Sequence, residues 1–108
     1  MGFMSSQNVK IVVFVPEVKA NAVREAMSRA GAGKIGNYTF CSFSTKGIGR
    51  FKPEKGANPS IGQIGRLESV EEEKIEAICE RSKLNEVVDA IKKVHPYEEV
   101  ALDVYPLE

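Results

Sequence analysis

One histidine and two glutamates lie close together near the end of the chain, at His95, Glu98 and Glu99. Imidazole and carboxylate groups suit zinc or manganese, so His95 and Glu98 are candidate ligands of a divalent metal ion. One chain offers too few convergent ligands, and symmetric copies would have to complete such a site. The alternative is that His95 ends a helix while Pro96 and Tyr97 shape the following turn.

The carboxylates of Glu98, Glu99 and Asp103 could instead form an acid–base pair. Catalytic carboxylates must converge and have shifted pKa values. Glu99 and Asp103 would share one face of a strand, but their separation along the strand is too large for direct pairing. The alternative is that these groups are strand-edge charges or form ion pairs between subunits.

A glycine-rich stretch at residues 46–65 carries the basic residues Lys46, Arg50, Lys52 and Lys55. Backbone amides of glycine, together with basic side chains, can cradle phosphate. The stretch has no Walker or dinucleotide fingerprint, and its short Gly-Ile-Gly segment is a weak signal. Long loops are usually functional, mobile or used in assembly, so an anion or nucleotide site and an assembly loop are the two alternatives.

The two cysteines, Cys41 and Cys79, lie in different segments of the chain. They could be redox-active or bind metal, but neither has a second cysteine nearby in sequence. The alternative is that both are small buried residues on strands. Two cysteines without a secretory leader predict free thiols in a reducing compartment, and therefore a cytoplasmic protein.

Chain length, net charge and hydropathy limit the classes of partner that this protein can have. The chain has 108 residues, a length that predicts one domain. Residues 1–8 are polar and predict a loose leader, which places the domain over 9–108. With 15 basic and 15 acidic residues, the net charge of +0 gives no basic surplus for nucleic acid. No apolar run approaches the roughly 18 to 20 residues of a membrane span. We therefore expect neither a nucleic-acid partner nor a membrane.

Hydrophobic periodicity in the first half predicts two strands and a helix. A β-branched run at 9–15 predicts a central strand, and an apolar stripe with helical spacing predicts a helix over 19–30. Gly31 and Gly33 provide its end. Residues 38–45 have high β-propensity and predict a second strand. Its aromatic residues point to both faces, which suggests that both faces are covered.

The second half repeats this pattern. Residues 66–80 predict a third strand, and Ser82 is a suitable N-cap for a second helix. That helix would end at His95, since the residue before a proline is pushed out of helical angles. Residues 99–105 predict the last strand. The wide apolar stripe of the second helix predicts a core face, formed by Leu84, Val87, Val88, Ile91 and Val94.

The resulting order, strand–helix–strand–strand–helix–strand, predicts an α+β fold. Lys10-Ile11 recurs as Lys74-Ile75, and two βαβ halves give the ferredoxin-like βαββαβ sandwich. In this sandwich two helices cover one face of a four-stranded antiparallel sheet. Val12, Phe14 and Ile78 would point to the opposite face. An apolar face requires a cover, so we expect a homo-oligomer.

Several longer motifs resemble one known family. The chain is similar to the inserted middle domain of the YqfO branch of the Nif-three-like proteins, from about Val9 to the C-terminus. The motifs that carry this resemblance follow one another in order: Gly31-Ala32-Gly33-Lys34-Ile35-Gly36-Asn37-Tyr38, Cys41-Ser42-Phe43-Ser44-Thr45, Gly56-Ala57-Asn58-Pro59 and His95-Pro96-Tyr97-Glu98-Glu99-Val100-Ala101, then Asp103 and Tyr105-Pro106-Leu107-Glu108.

The resemblance implies a PII-like or CutA-like ferredoxin fold, a tendency to trimerise and a long loop placed like the PII loop. In that family a host domain, described as a GTP cyclohydrolase homologue, supplies the ligands of a dinuclear metal site. This chain has one histidine, so we expect neither that metal site nor its hydrolase activity here. The resemblance therefore implies a stand-alone version of an accessory domain.

We therefore predict a non-enzymatic, trimeric PII/CutA-like module that binds a small ligand, a metal ion or a partner protein at clefts between subunits. One alternative is an accessory component of a metal-dependent hydrolase, acting with a separate Nif-three-like host domain. Another is a purely structural oligomer. A divalent metal ion, on His95 and Glu98, is the one cofactor considered. The residues assigned to ligand binding are His95, Tyr97, Glu98, Lys46, Arg50 and Asn58.

Overall fold

The computed structural model describes residues 7–108 and contains one four-stranded sheet and two α-helices. All strand pairs are antiparallel, in the order β2-β3-β1-β4, and this confirms the predicted ferredoxin-like α+β class. The first six residues of the predicted leader lie outside the described residues. The elements in chain order are β1 (Asn8–Pro16), α1 (Glu17–Arg29), β2 (Phe43–Phe51), β3 (Glu68–Glu80), a 3₁₀ turn (Arg81–Lys83), α2 (Leu84–Val94) and β4 (Leu102–Pro106).

Strand β1 is central, as its β-branched sequence predicts. It pairs with β3 on one side and with β4 on the other. Alternate residues of β1 face the helices. The core between sheet and helices is built from these residues and their neighbours: Val9, Ile11, Val13, Val15, Ala20, Val23, Met27, Ala32, Ile75, Ala77, Cys79, Val87 and Ile91.

Both helices cover one face of the sheet. Helix α1 buries Ala20, Val23 and Met27. Helix α2 buries Val87 and Ile91 of its predicted core face, whereas Val94 is 38% exposed and does not belong to the core. The predicted N-cap of α2 was wrong, because the chain first forms a 3₁₀ turn through Ser82. Helix α2 then starts after Lys83, without a side-chain cap. His95 does end α2, with extended backbone angles and its N–H donated to the Ile91 carbonyl.

The position of β2 is the main error of the sequence-based prediction. We expected a strand at 38–45 and a loop at 46–65, whereas β2 runs from Phe43 to Phe51. Its two glycines lower its intrinsic propensity, but its partner β3 imposes the strand. The register pairs every residue of β2 with β3, and Lys46 forms an ion pair with Glu17 at the start of α1. The loop between β2 and β3 is therefore shorter, at 52–67.

Residues 38–42 belong to none of the four strands, despite their high β-propensity. The Cys41 N–H donates to the Gly33 carbonyl at 2.9 Å, and Phe40 has a φ of 61°, which interrupts any strand. The prediction that aromatic residues here are covered on both faces was also wrong in the single chain. Tyr38 is 74% exposed and Phe43 is 68% exposed.

Strand β3 extends beyond the end of its neighbour β1. Glu72–Glu80 pair with β1, whereas Glu68–Glu71 pair only with Ile48–Phe51 of β2. The β2–β3 hairpin therefore projects beyond the layer covered by helices. This projection accounts for the elongated shape of the chain, 53 × 28 × 23 Å, and the 52–67 loop lies at its end.

We call the sheet face opposite the helices the free face. Val12, Phe14 and Ile78 alternate with the core residues, as predicted, and so belong to this face. Val12 is only 2% exposed, and the register places Glu76 and Asp103 beside it. The last strand is shorter than the predicted 99–105, because β4 begins at Leu102.

Neither α-helix within residues 7–108 has the length and apolar character needed to cross a membrane.

Candidate functional site

A cavity of about 510 Å³ lies on the free face, between the projecting hairpin and the chain that leads into β4. We call it the free-face cavity. Its walls are largely apolar. Four segments provide them: β1 and the hairpin, the 52–67 loop, and the turn after α2. The lining residues are Phe14, Gly49, Arg50, Phe51, Lys52, Pro53, Glu54, Ala57, Pro59, Ser60, Ile61, Glu72, Tyr97, Glu98, Glu99 and Ala101.

His95 holds one wall of this cavity in place from behind. The side chain is 6% exposed, and both ring nitrogens form hydrogen bonds. Nε2 donates to the Phe14 carbonyl at 2.7 Å, and Nδ1 accepts the backbone N–H of Tyr97 at 3.1 Å. This arrangement assigns the proton of the neutral ring to Nε2. The histidine thereby connects α2, β1 and the turn that carries Tyr97.

Tyr97 and Glu72 meet at the floor of the cavity. The Tyr97 hydroxyl donates to Glu72 Oε2 at 3.3 Å, and the Tyr97 ring packs edge-on against Phe51 with 5.6 Å between centroids. Burial raises the pKa of Tyr97 to about 12, with further contributions from the negative charge of Glu72 and from their hydrogen bond. Tyr97 therefore remains a neutral hydrogen-bond donor throughout the physiological pH range.

This pKa predicts a loss of stability in alkali. An unfolded tyrosine loses its proton near pH ~10, whereas folded Tyr97 retains it until about pH 12. Its contribution is fully present below the unfolded value and is lost as pH rises through this window. We expect the difference in urea midpoint between wild type and Tyr97→Phe to shrink from pH 9 upward. A difference that stays constant with pH would contradict the coupling.

The turn after α2 and the 52–67 loop are joined by one hydrogen bond. The Asn58 backbone N–H donates to Glu98 Oε1 at 2.8 Å. The loop is closed at its base, where the Gly65 N–H donates to the Pro53 carbonyl at 2.7 Å. These two contacts hold the loop over the free face, so that it forms one wall of the cavity.

The structure brings most of the predicted ligand-binding residues to this one place. Arg50, Tyr97 and Glu98 line the cavity, Asn58 is bonded to Glu98, and His95 supports Tyr97 from behind. Lys46 is directed elsewhere, because its Nζ pairs with Glu17 at the start of α1, 3.2 Å away. It borders only a smaller neighbouring recess on the sheet. The phosphate-binding hypothesis therefore loses one of its basic groups at the cavity.

The metal hypothesis would require this arrangement to change. Both nitrogens of His95 already have partners, and Glu98 accepts a backbone N–H. Within residues 7–108 no group of three or more His, Cys, Asp or Glu side chains is placed to hold a metal ion. Of the three carboxylates considered for acid–base chemistry, Glu98 and Glu99 line the cavity. Asp103 lies on the free face opposite Val12.

The two thiols are free and differ in environment. Cys79 lies on β3 in the core, as predicted for a small buried residue, and burial raises its pKa, with a further contribution from Glu80. Cys41 was wrongly placed on a strand and is only half-buried, in the 38–42 segment. Their predicted reducing, cytoplasmic location stays a prediction.

This difference predicts two rates of thiol modification. With Ellman's reagent at pH 8, we expect Cys41 to react with the folded chain and Cys79 to react only after denaturation, since the thiolate is the reactive form. Cys41→Ser should remove the fast phase, and Cys79→Ser should leave it unchanged. Similar rates for both thiols in the folded chain would contradict this assignment.

Sequence reasoning missed Glu72, Phe51 and Gly49 as parts of the site. Glu72 sits in a run of three glutamates, and its neighbours in that run are more exposed, so composition alone does not distinguish it. The available signal was the pair of glycines at 47 and 49 within a basic stretch. Glycine inside a strand often marks a close approach of another group, and here that group is Glu72.

The chain is similar to known proteins over most of its length, although no family model matches it. It is 59% identical over 98 residues, 91% of its length, to a protein named GTP cyclohydrolase 1 type 2 homolog from Halalkalibacterium halodurans. The fold of the whole chain matches a segment of the Bacillus cereus protein related to NIF3, with a TM-score of 0.83 and 46% identity. The predicted similarity to Nif-three-like proteins is thereby confirmed.

The match to these relatives is confined to one segment. The chain spans about a quarter of the curated relatives that it matches, 26% of the Halalkalibacterium protein, and 28% of the Bacillus cereus chain. The divalent cation tolerance protein CutA from Archaeoglobus fulgidus shares the fold over 94% of this chain and 84% of its own. The TM-score is 0.67 and the identity is 17%. The fold is therefore CutA-like.

Proposed function

We propose that this chain is a non-enzymatic, oligomeric PII/CutA-like module that binds a small ligand in the free-face cavity. The premise is its similarity to one segment of the Nif-three-related proteins and to CutA. The observation that carries the proposal is the cavity of about 510 Å³. Small-molecule sites typically measure about 300–1,000 Å³ and combine apolar walls with a few polar groups. Glu72, Tyr97 and Glu98 are such groups here.

Exposed aromatic side chains at the other end of the free face support self-association. Phe43 and Tyr105 are 68% and 52% exposed, and alternation places both on the free face, with Lys10 and half-buried Ile78 between them. Aromatic side chains are enriched at protein–protein contacts. A second copy of this chain would cover them, and a trimer is the assembly that we favour.

Light scattering on a sizing column tests the assembly. We expect a mass near three times that of one chain, and a lower mass for Phe43→Ser combined with Tyr105→Ser. The control is Tyr38→Ser, which removes an exposed aromatic residue from the 38–42 segment outside the sheet. A monomeric wild-type chain at high concentration would refute the oligomer.

A fragment screen by NMR tests the cavity. Small molecules that bind there should shift the amide signals of Phe51, Ala57 and Tyr97. Ala57→Trp should fill the cavity and abolish these shifts, because Ala57 lines it from the loop. Ala22→Trp is the matched control, since Ala22 is exposed on α1. If no fragment perturbs these signals, or if both variants behave alike, the cavity is not the binding site.

A second candidate follows from the length of the relatives. About three quarters of each lies outside the segment matched here, so this chain could act as an accessory component of a metal-dependent hydrolase supplied by such a host. Co-elution of this chain with the remaining part of such a relative, expressed separately, would support that role. Separate elution at micromolar concentrations would contradict it.

A further inference from the structure

The floor of the free-face cavity contains a buried carboxylate without a cation. Glu72 is 9% exposed, and its carboxylate accepts a hydrogen bond from the Tyr97 hydroxyl, 3.3 Å from Oε2. Within residues 7–108 the ion pairs involve Glu17, Glu25, Glu54 and Glu73, and none involves Glu72. Buried charges in proteins are normally paired. Lys74, two residues along the same face of β3, borders a neighbouring recess with Glu72 but forms no ion pair with it. In the described part of the chain, the Glu72 carboxylate therefore has no positive partner in contact.

A glycine holds this carboxylate in the cavity. Gly49 of β2 lies on the same face of the sheet as Glu72, and a Cβ built there would overlap Glu72 Oε1. The missing side chain lets the carboxylate lie across β2. Gly47, directly opposite Glu72 in the register, has open space at its Cβ position. The carboxylate therefore occupies the space over Gly49 and not the space over Gly47.

The walls above the carboxylate favour an organic cation with an apolar body. Phe14, Phe51 and Tyr97 line the space, and aromatic faces attract ammonium groups. The rim adds the acidic side chains of Glu98 and Glu99.

The basic residues of the lining do not neutralise Glu72. Lys52 is paired with Glu54 at 3.2 Å. Arg50 is exposed, and it lies opposite Ser69 in the register. Arg50 borders the cavity, but strand alternation directs its side chain to the face opposite Gly49 and Glu72.

We propose that the free-face cavity selects organic cations, with a primary ammonium group on Glu72 and a hydrocarbon or aromatic body against Phe14 and Phe51. This inference rests on the proposed function, in which the cavity is the ligand site. It also makes a phosphate-bearing ligand at this place unfavourable, because the phosphate would meet the carboxylates of Glu72, Glu98 and Glu99.

Three probes of similar shape and different charge test the proposal. The wild-type chain is titrated at pH 7.5 with 2-phenylethylamine, 2-phenylethanol and 3-phenylpropanoate, followed by NMR shifts at Phe51 and Tyr97. We expect the amine to bind about tenfold more tightly than the alcohol, in line with a charged hydrogen bond, and the carboxylate not to bind.

Matched variants locate the charge that is responsible. Glu72→Gln should make the amine and the alcohol equal, whereas Glu71→Gln should leave the preference intact because Glu71 is exposed on the opposite face of β3. Gly49→Ala should weaken amine binding by displacing the carboxylate. Gly47→Ala should not, since nothing lies near its added Cβ.

The outcomes separate the two proposals. Equal binding of amine and alcohol to the wild type would overturn the cation preference and leave the cavity as a ligand site. Failure of all three probes, together with a failed fragment screen, would overturn both. If Glu72→Gln lowers the oligomer mass and leaves amine binding unchanged, the partner of Glu72 is a basic residue of a second copy, and the proposal is wrong.

Discussion

Replacing Gly33 with alanine should destabilise the chain by about 3 kcal/mol or more, since backbone strain and a steric clash act together. Gly33 has a φ of +82°, and a Cβ there would overlap the Cys41 carbonyl oxygen and lie 2.8 Å from the Cys41 nitrogen. Its N–H donates to the Ile78 carbonyl at 2.7 Å, and its carbonyl accepts the Cys41 N–H. The glycine thus fastens the connection between α1 and β2 onto β3. The change is measured by urea denaturation.

Gly36→Ala is the control for this prediction. Gly36 also has a positive φ, +56°, but nothing lies near its Cβ position. Alanine there should cost about 1 kcal/mol, the usual penalty for left-handed backbone without a clash. Equal losses at the two glycines would show that the contact with Cys41 carries no energy.

His95→Ala should cost about 3 kcal/mol and change the free-face cavity. The variant leaves the Phe14 carbonyl and the Tyr97 N–H without their partners, and each unpaired buried group costs about 1–3 kcal/mol. The lost ring also leaves a void at a site that is now 6% exposed. Urea denaturation gives the loss in stability. The amide signals of Phe14 and Tyr97 report the change at the cavity.

His95→Gln is the conservative variant. Its side-chain amide can donate to the Phe14 carbonyl in place of Nε2, so it should recover part of the loss. If His95→Ala falls within about 0.5 kcal/mol of wild type, as most surface substitutions do, the two ring hydrogen bonds do not connect α2 to the sheet.

The parts of the fold that depend on local periodicity could be predicted from sequence. Strand β1 and both helices follow from apolar spacing, and the alternation of β1 placed Phe14 on the correct face. Strand β2 could not be predicted, since its two glycines are accommodated by β3, more than 20 positions away in the chain. Residues 38–42 show the converse, because a contact with Gly33 overrides their β-propensity.

The candidate site was predictable only in part, for a similar reason. The turn after α2 was recognised from its residue types, and Tyr97 and Glu98 do reach the cavity. Glu72 was not recognised, because its role depends on which of three consecutive glutamates lies over Gly49. That choice is set by the register between β2 and β3, which the sequence of neither strand reveals.

The projecting hairpin gives the two sides of the cavity different resistance to opening. Phe14 belongs to β1, which pairs with a strand on each side. Gly49 and Phe51 instead pair with the part of β3 that does not pair with β1. Segments with fewer buried contacts open locally at lower free energy than the core does. A ligand in the cavity would therefore contact both the rigid strand β1 and the more mobile hairpin. Its binding would slow the fluctuations of the hairpin and of the 52–67 loop.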